Sequence, residues 1–144
     1  MPDQYIQLIK TEVADLHTLF QFQLDKQANY LAAFTSIDPA NKTAYLEKYS
    51  RHISDPTINN MTIWMNDVIV GSIAKYVMYG EAEITYWIDK KFWGLGIATT
   101  ALSMFLKQEL SRPLFGRVAF DNYGSQKVLE KCGFIRIGTD MGFA

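Results

Sequence analysis

Between residues 59 and 88 the hydrophobic positions recur every second residue. Met61, Ile63 and Met65 alternate with Thr62 and Trp64 in INNMTIWM, and Ala82, Ile84, Tyr86 and Ile88 alternate with Glu83, Thr85 and Trp87 in AEITYWID. A period of two is that of a strand with two different faces. Between these runs lies VIVGSIAKYVMY, with Asn66-Asp67 before it and Tyr79-Gly80-Glu81 after it as tight turns. Three strands joined by such short turns predict an antiparallel meander.

On either side the period lengthens to that of a helix. Gln4–Lys10 reads as a weak first strand, and from Asp15 onward Leu16, Leu19, Phe20 and Leu24 share one helical face. Asp38-Pro39 signals a second helix, a capping residue followed by proline in the first helical position. Its apolar face is Tyr45, Leu46, Tyr49 and Ile53, and Asp55-Pro56 stops it. After the meander a helix over 96–110 carries Ala98, Ala101, Leu102 and Phe105 on one side and Thr100, Ser103 and Lys107 on the other. A strand PLFGRVAF, a helix over 123–132 and a strand from Phe134 follow. The order β-α-α-β-β-β-α-β-α-β predicts one mixed α/β domain over residues 1–144, with a mostly antiparallel central sheet flanked by helices and a crossover helix late in the chain.

Composition narrows the function. Of 144 residues, 49% are hydrophobic and 20% charged, which suits a globular domain with a substantial core. A formal net charge of −1 argues against nucleic acid as the main partner. No apolar run reaches the roughly 20 residues of a membrane span, and the N-terminus lacks the order of a secretory signal. Cys132, the one cysteine, leaves no internal disulfide and fits a reducing, cytoplasmic setting. It falls on an apolar stripe with Val128 and Leu129, as a core residue does. His17 and His52 are isolated, and no cluster has metal-ligand spacing.

One junction carries chemistry. In DKKFWGLGIATTAL, Gly94 and Gly96 stand between the last meander strand and the next helix. A dinucleotide loop would need a third glycine where Thr99 stands, and its strand would open a βαβ unit rather than follow a meander. The G-x-x-x-x-G-K-S/T phosphate loop is absent. A plain turn and helix cap is one reading. The other is an anion cradle: without Cβ atoms the backbone amides can approach a ligand, at a helix start whose first N–H groups lack partners and whose dipole attracts negative charge.

A second motif is Asn122-Tyr123-Gly124-Ser125-Gln126-Lys127-Val128-Leu129-Glu130-Lys131-Cys132-Gly133-Phe134. Asn122 suits a helix cap and Gly133 a left-handed helix terminus, with Phe134 folding back on the last turn. Ser125 is the polar member of the stripe formed with Val128, Leu129 and Cys132. A buried hydroxyl wants a partner, either a backbone carbonyl or a ligand.

Together the two motifs resemble the acetyl-CoA-dependent N-acetyltransferases of the GNAT superfamily, and most closely the branch that acetylates N-terminal alanines of ribosomal proteins. Lys91-Phe92-Trp93-Gly94-Leu95-Gly96 matches the family loop Q/R-x-x-G-x-G/A, with lysine in place of glutamine or arginine. The resemblance is strong over residues 81–138 and extends to the first 55 residues only in the order of elements. It implies that Lys91, Gly94, Leu95, Gly96, Ile97, Ala98 and Thr99 hold the diphosphate of acetyl-CoA, and that Asn122 and Ser125 contact its pantetheine arm or sulfur. It also implies a backbone N–H from Trp87–Ile88 facing the thioester carbonyl where two strands splay apart. Many relatives carry a tyrosine acid where Leu129 stands, so Ser125 or water takes over protonation of the departing thiolate. Tyr123 matches no family acid.

Glu83 occupies the position of a glutamate that serves several branches as general base through water. It shares a strand face with Trp87, and the alternative is a solvated strand carboxylate. Tyr30, Phe34, Tyr45 and Tyr49 either border an acceptor groove or pack helix on helix. The expected activity is direct acetyl transfer to a primary amine, a peptide N-terminus or a small amine, with no metal and no acyl-enzyme. The alternative is a non-catalytic acyl-CoA-binding module. The family's usual last strand is missing after Ala144, so a shortened chain or a strand from a second subunit is expected, and with the latter a homodimer.

Overall fold

The computed structural model describes residues 5–25, 40–118 and 122–137. Its elements are β1 (Ile6–Lys10), α1 (Asp15–Phe22), α2 (Lys42–Ser54), β2 (Asn59–Met65), β3 (Val68–Met78), β4 (Glu81–Ile88), a single 3-10 turn (Lys90–Phe92), α3 (Ile97–Gln108), β5 (Leu114–Gly116) and α4 (Tyr123–Lys131). The strands lie side by side in chain order. All neighbours are antiparallel except β4 and β5, which are parallel and joined through α3. Asn66 and Asp67 (φ 51° and 68°) and Tyr79 and Gly80 (φ 52° and 79°) make the two hairpin turns, with the left-handed backbone that matches strand twist.

The alternation divides the sheet into two faces. Ile6, Met61, Ile63, Ile73, Ile84 and Ile88 form a core with Ile97, Ala101, Leu102 and Phe105 of α3 and Leu129 of α4. Ala101, fully buried, brings α3 close to the strands. On the other face Thr62 donates a hydrogen bond to Asp15 at 3.0 Å, fastening α1 over the sheet. Glu83, paired in register with Tyr76, looks toward that second face.

Some expectations need correction. α1 ends at Phe22, so Leu24 lies beyond it and is exposed. The described part of the second helix starts at Lys42 under an Asn41 cap, whose Oδ1 accepts from the Ala44 amide at 3.0 Å. Asp38-Pro39, Tyr30 and Phe34 lie outside the described residues. Of the strand expected over 113–120, the described residues pair only at Leu114–Gly116. The strand expected from Phe134 is absent among the described residues. The Phe134 amide turns back to the Leu129 carbonyl, residues 134–137 pair with no strand among the described residues, and Ile135 and Ile137 stay 83% and 81% exposed.

Candidate functional site

The Gly-X-Gly junction has the geometry of a cradle. Gly94 and Gly96 have φ of 82° and 78°, a region that costs other residues about 1–2 kcal/mol. A Cβ at either position would meet nothing within 4 Å, so the backbone there faces open space. Gly96 caps α3 without a side chain to offer. The first bond within the helix runs from the Thr100 amide to the Gly96 carbonyl at 3.1 Å, leaving the Ile97, Ala98 and Thr99 amides ahead of it. Helices α2 and α4, by contrast, are capped by Asn41 and Asn122. The buried Ile97 side chain anchors this turn, whereas Leu95 and Lys91 are exposed at its rim. Lys91 Nζ lies 3.9 Å from Asp89 and stays largely in solvent. Open amides beside a solvated cation fit a diphosphate.

Just before this loop, β4 and β5 part. Among the described residues their pairing is limited to Ala82–Leu114, Glu83–Phe115 and Ile84–Gly116, so Thr85–Ile88 forms one arm of a fork. The Asp89 amide bonds the Val70 carbonyl at 2.8 Å. The Trp87 carbonyl lies so close to Gly71 that a Cβ there would come within 2.1 Å of it. Both contacts turn toward β3, so the Ile88 N–H between them points away from β3 into the fork. The outward amide is therefore that of Ile88; Trp87 turns its own backbone to β3 because strand alternation demands it. The Trp87 indole Nε1 is buried without a hydrogen-bond partner among the described residues, as is that of Trp64.

Glu83 departs from the solvated alternative. It is 1% exposed. Its Oε1 accepts from Arg117 Nε at 3.0 Å and from the Tyr76 hydroxyl at 3.3 Å, while Oε2 is buried with no hydrogen-bond partner among the described residues. Burial, then the Glu83 charge, pushes the Tyr76 phenol up to about 12. Sequence reasoning missed Arg117 and Tyr76. The available signal was a cation inside the otherwise apolar PLFGRVAF.

The second motif lies on the other sheet face. Asn122 Oδ1 accepts from the Ser125 amide at 3.2 Å, and the Ser125 carbonyl accepts from the Tyr86 hydroxyl at 3.3 Å. Burial raises the Tyr86 phenol. The Ser125 side chain, half-buried, has no bond to a described residue. Gly133 (φ 93°) ends α4 as expected, with the Phe134 amide returning to the Leu129 carbonyl at 3.0 Å. Leu129 is buried beneath Gly116. Glu83 and Ser125 thus flank β4 from opposite faces and share no contact.

The acetyltransferase (GNAT) domain family matches residues 6–135. The chain belongs to the GNAT acetyltransferase family. The chemistry of that family is acetyl transfer from acetyl-CoA. Among solved structures, a ribosomal-protein α-N-acetyltransferase (RimL) in complex with coenzyme A is 18% identical, with a TM-score of 0.76 over 92% of this chain and 81% of that one. A chimera of the Vibrio cholerae spermidine N-acetyltransferase is 20% identical, with a TM-score of 0.76 over 92% and 82%. The aminoglycoside acetyltransferase AAC(6')-Ib in complex with coenzyme A is 16% identical, with a TM-score of 0.77 over 94% and 87%. At such identities the likeness is one of fold. Among curated protein sequences none matches the chain.

In this GNAT domain α2 lies on the Glu83 side of the sheet. Its tyrosines form a stack, Phe20–Tyr45 at 5.2 Å, Tyr45–Tyr49 at 4.5 Å and Tyr49–His52 at 5.1 Å between ring centres. Burial raises both phenols; the His52 imidazole is lowered by burial, then by Lys48 and Arg51. The stack packs α2 on α1. On the opposite face the Cys132 thiol, pushed up by burial, points its Sγ at the Thr99 carbonyl at 3.6 Å and ties α4 to the first turn of α3. Among the described residues no helix is long and apolar enough to cross a membrane, and no group of three metal-ligating side chains occurs.

Proposed function

We propose that this GNAT domain transfers an acetyl group from acetyl-CoA directly to a primary amine, with Glu83 as the base. The observation that carries this reading is the buried Glu83 carboxylate with one unpartnered oxygen, on the strand that forms one arm of the fork. Acetyl-CoA supplies the acetyl group as a thioester, whose thiol leaves with a pKa near 8.5. The amides of residues 94–99 and the Lys91 ammonium would hold the diphosphate. Asn122 shapes the start of α4 and so places Ser125 to protonate the sulfur. The Ile88 N–H would face the carbonyl oxygen, where developing negative charge needs a donor. Glu83 would take the proton of the attacking amine, directly or through water.

A protein N-terminus is the acceptor we favour, because an α-amine of pKa about 8 needs far less help to lose its proton than a lysine near 10.4. The YWI strand, the loop and the Asn122–Phe134 motif favour the ribosomal-protein branch. A lone, half-buried thiol suits a cytoplasmic setting. The exposed Ile135 and Ile137 favour a homodimer, against which a monomer by light scattering at high concentration would count. A CoA-binding module without turnover is supported by Leu129, buried where relatives have an acid.

Thiol release from acetyl-CoA, measured with alanyl peptides, spermidine and an aminoglycoside, tests the proposal. Acceptor-dependent turnover that falls about a hundredfold or more in Glu83→Gln, with acetyl-CoA affinity kept, supports it. Undiminished turnover in that variant contradicts the assigned base, and cofactor binding without turnover on any amine favours the module.

A further inference from the structure

We propose that Arg117 is a positioning residue for the reaction: it occupies Oε1 of Glu83 and thereby leaves Oε2 as the one oxygen that takes the acceptor's proton. The inference rests on Glu83 being the base, as proposed above.

The geometry is specific. Among the described residues pairing between β4 and β5 ends at Ile84–Gly116, and Arg117 is the first residue after β5. From there its Nε reaches back 3.0 Å to Glu83, one residue before the fork. Burying a carboxylate costs several kcal/mol unless a cation and hydrogen bonds meet it. Arg117 supplies the cation, and guanidinium keeps its charge at any working pH. Its side chain is 33% exposed against 1% for Glu83, so the pair runs from the covered face toward solvent. The Tyr76 hydroxyl goes to the same Oε1 at 3.3 Å. Two donors on one oxygen fix the carboxylate plane and turn the other oxygen away from both.

In the transfer, one N–H bond of the acceptor breaks as an O–H bond forms at Oε2. The nitrogen lone pair forms the bond to the acetyl carbon, and the N–H pair returns to nitrogen as its new lone pair. The carbon–sulfur bond breaks with its electron pair leaving on the thiolate, and Glu83 holds the proton as a neutral acid until solvent takes it. In this reading the effect of Arg117 on the transfer runs through the Glu83 carboxylate, which it holds at Oε1.

A double-mutant cycle tests this, with an alanyl peptide as acceptor and, as a second readout, the acceptor-independent hydrolysis of acetyl-CoA, in which water replaces the amine. Arg117→Ala should lower kcat about 10- to 100-fold in both, with KM for acetyl-CoA changed less than about twofold. Arg117→Lys should recover part of that loss. In a Glu83→Gln background, Arg117→Ala should have no further effect on kcat. If Arg117→Ala keeps wild-type kcat while Glu83→Gln is inactive, the positioning role is wrong and the base stands. If Arg117→Ala costs as much in the Glu83→Gln background as in the native chain, Arg117 acts on its own and the proposal fails. If Glu83→Gln is fully active, the underlying reading fails first. Should Arg117→Ala not fold, Tyr76→Phe removes only the second donor and should lower kcat by a smaller factor, again only when Glu83 is present; an equal loss in the Glu83→Gln background contradicts the proposal.

Discussion

The indole of Trp93 donates to the carbonyl of Ile88 at 2.8 Å. That bond closes the turn after β4, so the last residue of the strand and the entrance to the glycine loop are held in one fixed relation. The Ile88 amide on one side and the amides opening α3 on the other keep their separation because of it. Replacing Trp93 by Phe retains the ring and removes the donor. We expect kcat/KM for acetyl-CoA to fall about 5- to 10-fold, the size of one hydrogen bond, and stability to drop by about 1 kcal/mol. Steady-state kinetics and urea unfolding check this, and unchanged kinetics would show that the turn is held by other contacts.

Gly96 caps α3 at φ 78°. A β-branched side chain there is strained by the backbone alone, even though the space beside it is open. Gly96→Val should destabilise the fold by about 1–3 kcal/mol and weaken acetyl-CoA at least about tenfold by calorimetry. Gly96→Asn tolerates the same φ better and should cost less in stability than in binding.

Gly71 answers to a different constraint. Its backbone is not left-handed, but a Cβ would stand 2.1 Å from the Trp87 carbonyl. Gly71→Ala must therefore push β3 and β4 apart beside the outward Ile88 amide. A loss of about 1–3 kcal/mol in unfolding, together with a fall in kcat larger than the change in acetyl-CoA affinity, is the expected result.

Glu109 gives the pH dependence. Burial raises its carboxyl, but the hydroxyl and amide of Ser111, the Asn59 amide and the Lys75 charge together hold it below its ordinary 4.5. A carboxylate lowered in the folded state stabilises above its unfolded value and loses that contribution as pH falls through the folded value. Glu109→Gln should thus be less stable than the native chain at pH 7, with the gap closing below about pH 4.5. Urea midpoints at neutral and acid pH decide it, and a gap that widens with acid would contradict the assignment.

Much of this was legible in the residues. The alternation of Ile84 and Ile88 with Glu83 and Trp87 showed which side chains share a face, because a strand allows no other arrangement. Gly94 and Gly96 marked the loop, and Asn122 and Gly133 marked the ends of α4, because these are local backbone demands written in local residue types. The partner of Glu83 was not legible, since Arg117 arrives from a strand 34 positions later and only the sheet order brings them together. Nor was the choice of Ile88 over Trp87 as the outward amide, which depends on Val70 and Gly71 across the ladder. Phe134–Ile137 has the composition of a strand, but pairing is a property of neighbours, and none of the described residues provides one.

In the proposed transfer the backbone opening α3 grips the diphosphate of acetyl-CoA and so aims its thioester at the Ile88 amide. Amide NMR of the labelled protein, titrated with acetyl-CoA, reads this directly. Saturable shifts should be largest at Gly94, Gly96, Ile97, Ala98 and Thr99, with a distinct response at Ile88. Saturation that leaves those amides in place, or shifts that gather elsewhere on the molecule, would contradict it.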